Sequence, residues 1–110
     1  MGVYGSAVEA EPAMRVRRSA RVVLDARMAL RRSGQNNYKV RVLDASPHGC
    51  KVEFVERPRL DETLWAKFDG LDSLEAMVCW VQGSAAGLEF QRPIHPAVFD
   101  MLVKRLEAAA

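Results

Sequence analysis

The sequence predicts an all-β domain: a six-stranded antiparallel β-barrel followed by one C-terminal helix. Three observations predict it. Apolar residues recur at every second position through six short segments between residues 22 and 90. Gly, Pro, Asn, Asp and Ser break those segments apart. Beyond Pro93 the apolar spacing lengthens to that of a helix. Six short strands, each with one apolar face, remove their exposed edges best by closing into a small barrel. The amphipathic helix would cover an end or side of it.

The first strand starts at Val22, with Leu24, Ala26, Met28 and Leu30 on one face and Arg21, Asp25, Arg27 and Arg31 on the other. A helix would not alternate in this way. Residues 33–37, Ser-Gly-Gln-Asn-Asn, form a turn. Tyr38, Val40 and Val42 alternate with Lys39, Arg41 and Leu43 in the second strand. Residues 44–49 carry Ser, Pro, His and Gly and read as a loop. Cys50, Val52 and Phe54 then define the third strand, and residues 56–62 a polar loop. Residues 63–68 are the fourth strand, ended by Asp69-Gly70. Residues 75–82 are the fifth, with Ala76, Val78 and Trp80 on one face. Residues 83–87 read as a flexible connection before a short sixth strand marked by Leu88 and Phe90. Pro96 suits the first turn of a helix, where its missing N–H costs nothing. Val98, Phe99, Leu102, Val103 and Leu106 supply the apolar stripe over about residues 96–108. Residues 1–14 show no periodicity and are expected to be a flexible tail; residues 15–110 are expected to form a single domain, with the barrel over about 20–92.

Composition excludes several function classes. A hydrophobic fraction of 49% in 110 residues excludes wholesale disorder. No apolar run approaches the roughly 20 residues that span a bilayer, so membrane insertion is not expected. Residues 1–14 lack the basic start and apolar stretch of a secretory signal. Two cysteines are too few for a disulfide scaffold and suggest a reduced, cytoplasmic setting. The two His and two Cys lack metal-ligand spacing. Asp44, Ser46 and His48 superficially suggest a hydrolase triad, but groups two residues apart on a loop do not assemble one easily. No enzyme activity and no cofactor are expected. Cys50, in phase with Val52, reads as a small buried hydrophobe, and Cys79 as partly exposed. Trp65 and Met77 face away from the core and can form a contact patch.

The net charge of +2 conceals an asymmetry. Residues 1–44 carry nine Lys/Arg against four Asp/Glu, and residues 45–110 carry seven against ten. The cluster Arg15, Arg17, Arg18 and Arg21 precedes the first strand. It reads either as a solvated basic tail or as a binder of an anionic partner. Because the first two strands form a hairpin, this cluster and residues 44–49 fall at one edge of the barrel. Arg presents a planar fork that fits phosphate oxygens and the O6 and N7 acceptors of guanine. A carboxylate accepts from guanine's N1–H and N2–H₂ edge, Ser46 adds a short-range hydroxyl, and Gly49 lets backbone approach a flat ligand. The plainer alternative is a hairpin end whose turn is capped by Asp44 and Ser46.

Arg17-x-x-x-Arg21 followed by Asp44-x-Ser46-x-x-Gly49 resembles the PilZ domain, a bacterial receptor module for cyclic di-GMP. Val78-Cys79-Trp80 and Gly87-Leu88-Glu89-Phe90 resemble the family's later strands. The resemblance implies a PilZ-like barrel with cyclic di-GMP at its surface. It implies that Arg17 and Arg21 lie on an N-terminal segment that folds over the ligand and contacts phosphates and guanine Hoogsteen edges. Asp44 and Ser46 would contact a guanine base, with Gly49 permitting close approach; Arg18 and Arg15 can add phosphate contacts. The reordered segment would pass the signal to a downstream protein. Two alternatives remain: a protein–protein adaptor of the same fold with weak or no nucleotide binding, and a small nucleic-acid-binding barrel. The second is disfavoured by few aromatics for base stacking, so no nucleic-acid partner is expected.

Overall fold

The computed structural model describes residues 21–32 and 34–109. The expected tail over residues 1–14 and the arginines Arg15, Arg17 and Arg18 lie outside the described residues. The six expected strands and the helix are all present. β1 spans Val22–Arg31, β2 Tyr38–Ser46 and β3 Gly49–Glu53. β4 spans Thr63–Lys67, β5 Leu74–Gln82 and β6 Ala85–Phe90. Helix α1 spans Pro96–Ala109.

Each group of three consecutive strands forms an antiparallel meander, and the two meanders join at both sides. The order around the closed barrel is β1-β2-β3-β6-β5-β4. β3 meets β6 from Gly49↔Glu89 to Glu53↔Ala85, and β1 meets β4 from Ala29↔Lys67 to Arg31↔Trp65. The alternating apolar residues fill the interior: Met28, Leu30, Val42, Val52, Leu64, Phe68 and Val78 are fully buried. Phe68 and Phe90 meet edge to face with centroids 6.3 Å apart, a favoured arrangement of their ring quadrupoles. Phe99, Leu102 and Leu106 bury the helical stripe in the same core, and α1 lies against β1. His95 caps the helix, since the Ala97 amide donates to its Nδ1 at 3.1 Å.

The loop between β3 and β4, which carries the chain from one meander to the other, is clamped. Arg32 pairs with Glu62 and, at 3.3 Å, with Glu56. The Arg59 amide also donates to Glu62 at 2.9 Å. Burial pushes the Glu62 carboxyl up, but the Arg32 and Arg59 hydrogen bonds and their charges outweigh it and hold it below the usual range.

Three details differ from the sequence reading, and a bulge accompanies two of them. β2 continues through Asp44 to Ser46, so those residues sit on a strand rather than a loop; only Pro47 and His48 form the turn. Trp80 does not share the inner face of Ala76 and Val78. A one-residue bulge in each of β2 and β5 shifts the alternation. In β2 the pairing with β3 passes from Val42↔Val52 to Asp44↔Lys51. In β5 the pairing with β6 passes from Val78↔Leu88 to Trp80↔Gly87. Residues beyond each bulge face the opposite way from where strict alternation puts them. The third difference is that β6 begins at Ala85, so residues 85–87 are strand and only Gly83 and Ser84 turn.

Candidate functional site

The β2 bulge positions the site. Strict alternation from Val40 and Val42 would send Asp44 into the core. The extra residue turns Ala45 inward instead, to 1% exposure beside Cys50. Asp44 is thereby left on the outer face, opposite Val23 of β1 and Lys51 of β3. The hairpin register brings Arg21, the residue preceding β1, to the same place. Its Nη2 stands 2.8 Å from Asp44 Oδ1. The expected convergence of the two clusters is therefore present for the part of the first cluster that is described. Oδ1 is buried and, among the described residues, has no partner aligned as a hydrogen bond, so charge at close range holds this pair. A carboxylate has about four acceptor positions, which leaves capacity for donors of a ligand.

Ser46 and Gly49 face each other across the β2–β3 turn. Ser46 is 2% exposed, and its Oγ accepts from the His48 amide at 3.2 Å. Ser46 thus caps the turn, while Asp44 pairs with Arg21 and does not. Gly49 has a reason of its own: a Cβ there would stand 2.1 Å from the Leu88 carbonyl oxygen of β6. The turn is also tied to the rest of the fold. The Phe90 amide donates to the His48 carbonyl at 2.9 Å, and the Ile94 amide to the Pro47 carbonyl at 2.7 Å.

Two outer-face residues escaped the sequence reading. Lys51 lies directly across from Asp44, and next in the row is Gly87, opposite Trp80. The Trp80 indole lies over Gly87, where an added Cβ would come within 2.0 Å of Nε1. It is only 7% exposed although it is not part of the inner core. Lys51 Nζ sits 6.0 Å from its ring centroid. A tryptophan facing a glycine across a strand pair is the one signal in the sequence that could have revealed this. In the neighbouring row a groove of about 510 Å³ borders the site, lined in part by His48, Met77, Glu89 and Gln91. Met77 is on this outer surface, as expected, and Trp65 lies two positions along with Arg31 5.7 Å over its ring.

The site offers hydrogen-bond donors, an acceptor and a second cation to a ligand. The described residues hold no cluster of three metal-ligating side chains. Cys50 faces the core, where burial and then the Asp44 charge push its thiol well up and leave it un-ionised. Cys79 is half-buried, as expected, and close to the Gly87 carbonyl at 3.3 Å. No helix among the described residues is long and apolar enough to cross a membrane. A forked cation, a carboxylate with unused acceptor capacity and a second cation beside an indole suit a ligand with phosphates and a donor edge.

No curated protein matches the sequence. A family model, that of the PilZ domain, matches residues 15–108, which takes in every described strand and nearly all of α1. A closed six-stranded barrel with a C-terminal helix agrees with that match, and the chain belongs to the PilZ domain family.

Proposed function

We propose that this PilZ domain is a receptor for cyclic di-GMP, read out by a partner protein. The observation that carries the reading is the meeting of Arg21 and Asp44 at 2.8 Å on the outer face, with Ser46 and Gly49 beside them. As a family, PilZ domains are binding modules and generally cyclic di-GMP receptors. On this reading Arg21 gives its fork to a phosphate or to guanine O6 and N7. Asp44 accepts from the N1–H and N2–H₂ edge of a guanine, and Ser46 and Gly49 line the approach. Arg17, with Arg18 and Arg15 as supplementary cations, folds over the ligand from outside the described residues. Binding exchanges the Arg21–Asp44 pair for two pairs with the ligand, phosphate to Arg21 and guanine to Asp44. The segment closed over the ligand is the surface a partner reads, consistent with a soluble cytoplasmic signalling role.

Calorimetric titration tests the proposal, with cyclic di-GMP, GTP and cyclic GMP run in parallel. Saturable binding of cyclic di-GMP, lost in Arg21→Ala and weak for the two mononucleotides, is expected. The Arg21→Lys change should also weaken binding, because a point charge cannot fork. Absence of binding at micromolar protein would overturn the proposal.

A further inference from the structure

Among the described residues, the cation opposite Asp44 has no carboxylate of its own. Lys51 is the direct cross-strand neighbour of Asp44 on the outer face, a position from which opposite charges ordinarily pair. Asp44 instead stands against Arg21. Among the described residues no carboxylate lies within 4.0 Å of Lys51 Nζ, and its one ring contact is the Trp80 indole at 6.0 Å. That separation is the outer limit of a cation–π contact, a hold weak enough for a phosphate to displace. The indole in turn is fixed by geometry, since Gly87 is the only residue type that leaves room beneath it.

Electrostatics gives the ammonium a task. Arg21 and Asp44 together are neutral, so alone they offer no net attraction to a dianionic ligand. Asp44 is required for a guanine edge yet repels phosphate. A cation on the neighbouring strand removes that conflict. We infer that Lys51 is a further ligand-contact residue of this site, giving its ammonium to a phosphate of the nucleotide from a position held ready by Trp80. The inference rests on the cyclic di-GMP reading and extends it to a residue outside both halves of the motif. Lys51 donates as a compact point charge, so it adds attraction rather than shape selection. Guanine selection stays with Arg21 and Asp44.

The test is calorimetric titration of the full chain with cyclic di-GMP over a potassium chloride series, using wild type, Lys51→Gln, Lys51→Met, Lys51→Arg and Asp44→Ala. Lys51→Met retains an unbranched stem against the indole, so it separates charge from packing. Both neutral variants should bind about tenfold more weakly, the scale of one partly exposed charged contact. Their affinity should also fall less steeply with salt. Lys51→Arg should retain most of the affinity, a rescue that lost packing would not predict. Asp44→Ala should weaken binding while retaining a steep salt dependence. Affinities of Lys51→Gln and Lys51→Met within twofold of wild type, with an unchanged salt dependence, would overturn the role of Lys51 and leave the receptor reading intact. Failure of the wild type to bind would overturn both.

Discussion

Replacing Gly49 with alanine should damage the barrel itself, before any ligand is considered. The new Cβ would lie 2.1 Å from the Leu88 carbonyl oxygen, 3.2 Å from its carbon and 3.3 Å from Glu89 Cα. All three atoms are main chain of β6, so no side-chain rotation relieves the clash. Restoring a tolerable contact requires β6 to move away from β3 by about 1 Å, far beyond what a close-packed interior absorbs freely. The movement strains the pairs Gly49↔Glu89 and Cys50↔Leu88 and the Phe90–His48 bond at 2.9 Å. Weakening about two ladder bonds at about 1 kcal/mol each adds to an overpacking cost of about 1–3 kcal/mol. The total is about 3–5 kcal/mol, a large share of the roughly 5–15 kcal/mol available to a domain of this kind. With a urea m-value near the middle of the usual range, the unfolding midpoint should fall by about 2 M. Equilibrium urea unfolding followed by tryptophan fluorescence measures this. An alanine variant with an unshifted midpoint and lowered ligand affinity would refute the reasoning, and would mean that the glycine serves ligand access alone.

Two further outcomes follow from geometry already described. Gly87→Ala places a Cβ within 2.6 Å of three indole atoms of Trp80, so the ring must swing into solvent. A red-shifted emission spectrum and a stability loss of about 2–3 kcal/mol are expected, with little change if the ring were elsewhere. Glu62 has a folded-state pKa below its ordinary value, so its pairing stabilises the fold above the unfolded pKa and is lost as pH falls through the lower folded one. Stability should therefore drop as pH falls below about 4, and Glu62→Gln should remove that part of the decline when urea midpoints are compared across pH.

The hairpin of β1 and β2 was legible because both strands alternate strictly over most of their length. Once that pairing is fixed, counting out from the turn sets Arg21 and Asp44 at the same end of the hairpin, but the register shift between Val23 and Ala26, which puts Asp44 opposite Val23 rather than Leu24, is not visible in the spacing. The strand character of Asp44 and Ser46 was hidden because Ser, Pro, His and Gly together look like loop, although only two of the six residues turn. The bulges were hidden for a deeper reason. Leu43 and Cys79 are themselves ordinary strand residues, and an inserted residue is visible only in the register of the partner strand. Trp80 fell in phase with Ala76 and Val78, so alternation placed it in the core while the bulge turned it outward. Ala85, Ala86 and Gly87 have low strand propensity, and their pairing comes from tertiary context: Ala86 fills the core and Gly87 underlies an indole.

Closure of the barrel has a consequence for how a partner could dock. Each of the six strands has a hydrogen-bonded neighbour on both sides, so among the described residues no strand offers a full-length edge for an incoming peptide to extend by β-augmentation. A listener must instead engage side chains on the flanks or on the helix. The helix is tied to the proposed ligand site, because the Pro47 carbonyl in the motif turn accepts from the Ile94 amide two residues before α1 begins. On the proposed reading, a ligand that displaces this turn by a fraction of an ångström would pull on the root of that helix, a mechanical lever from binding site to outward-facing surface.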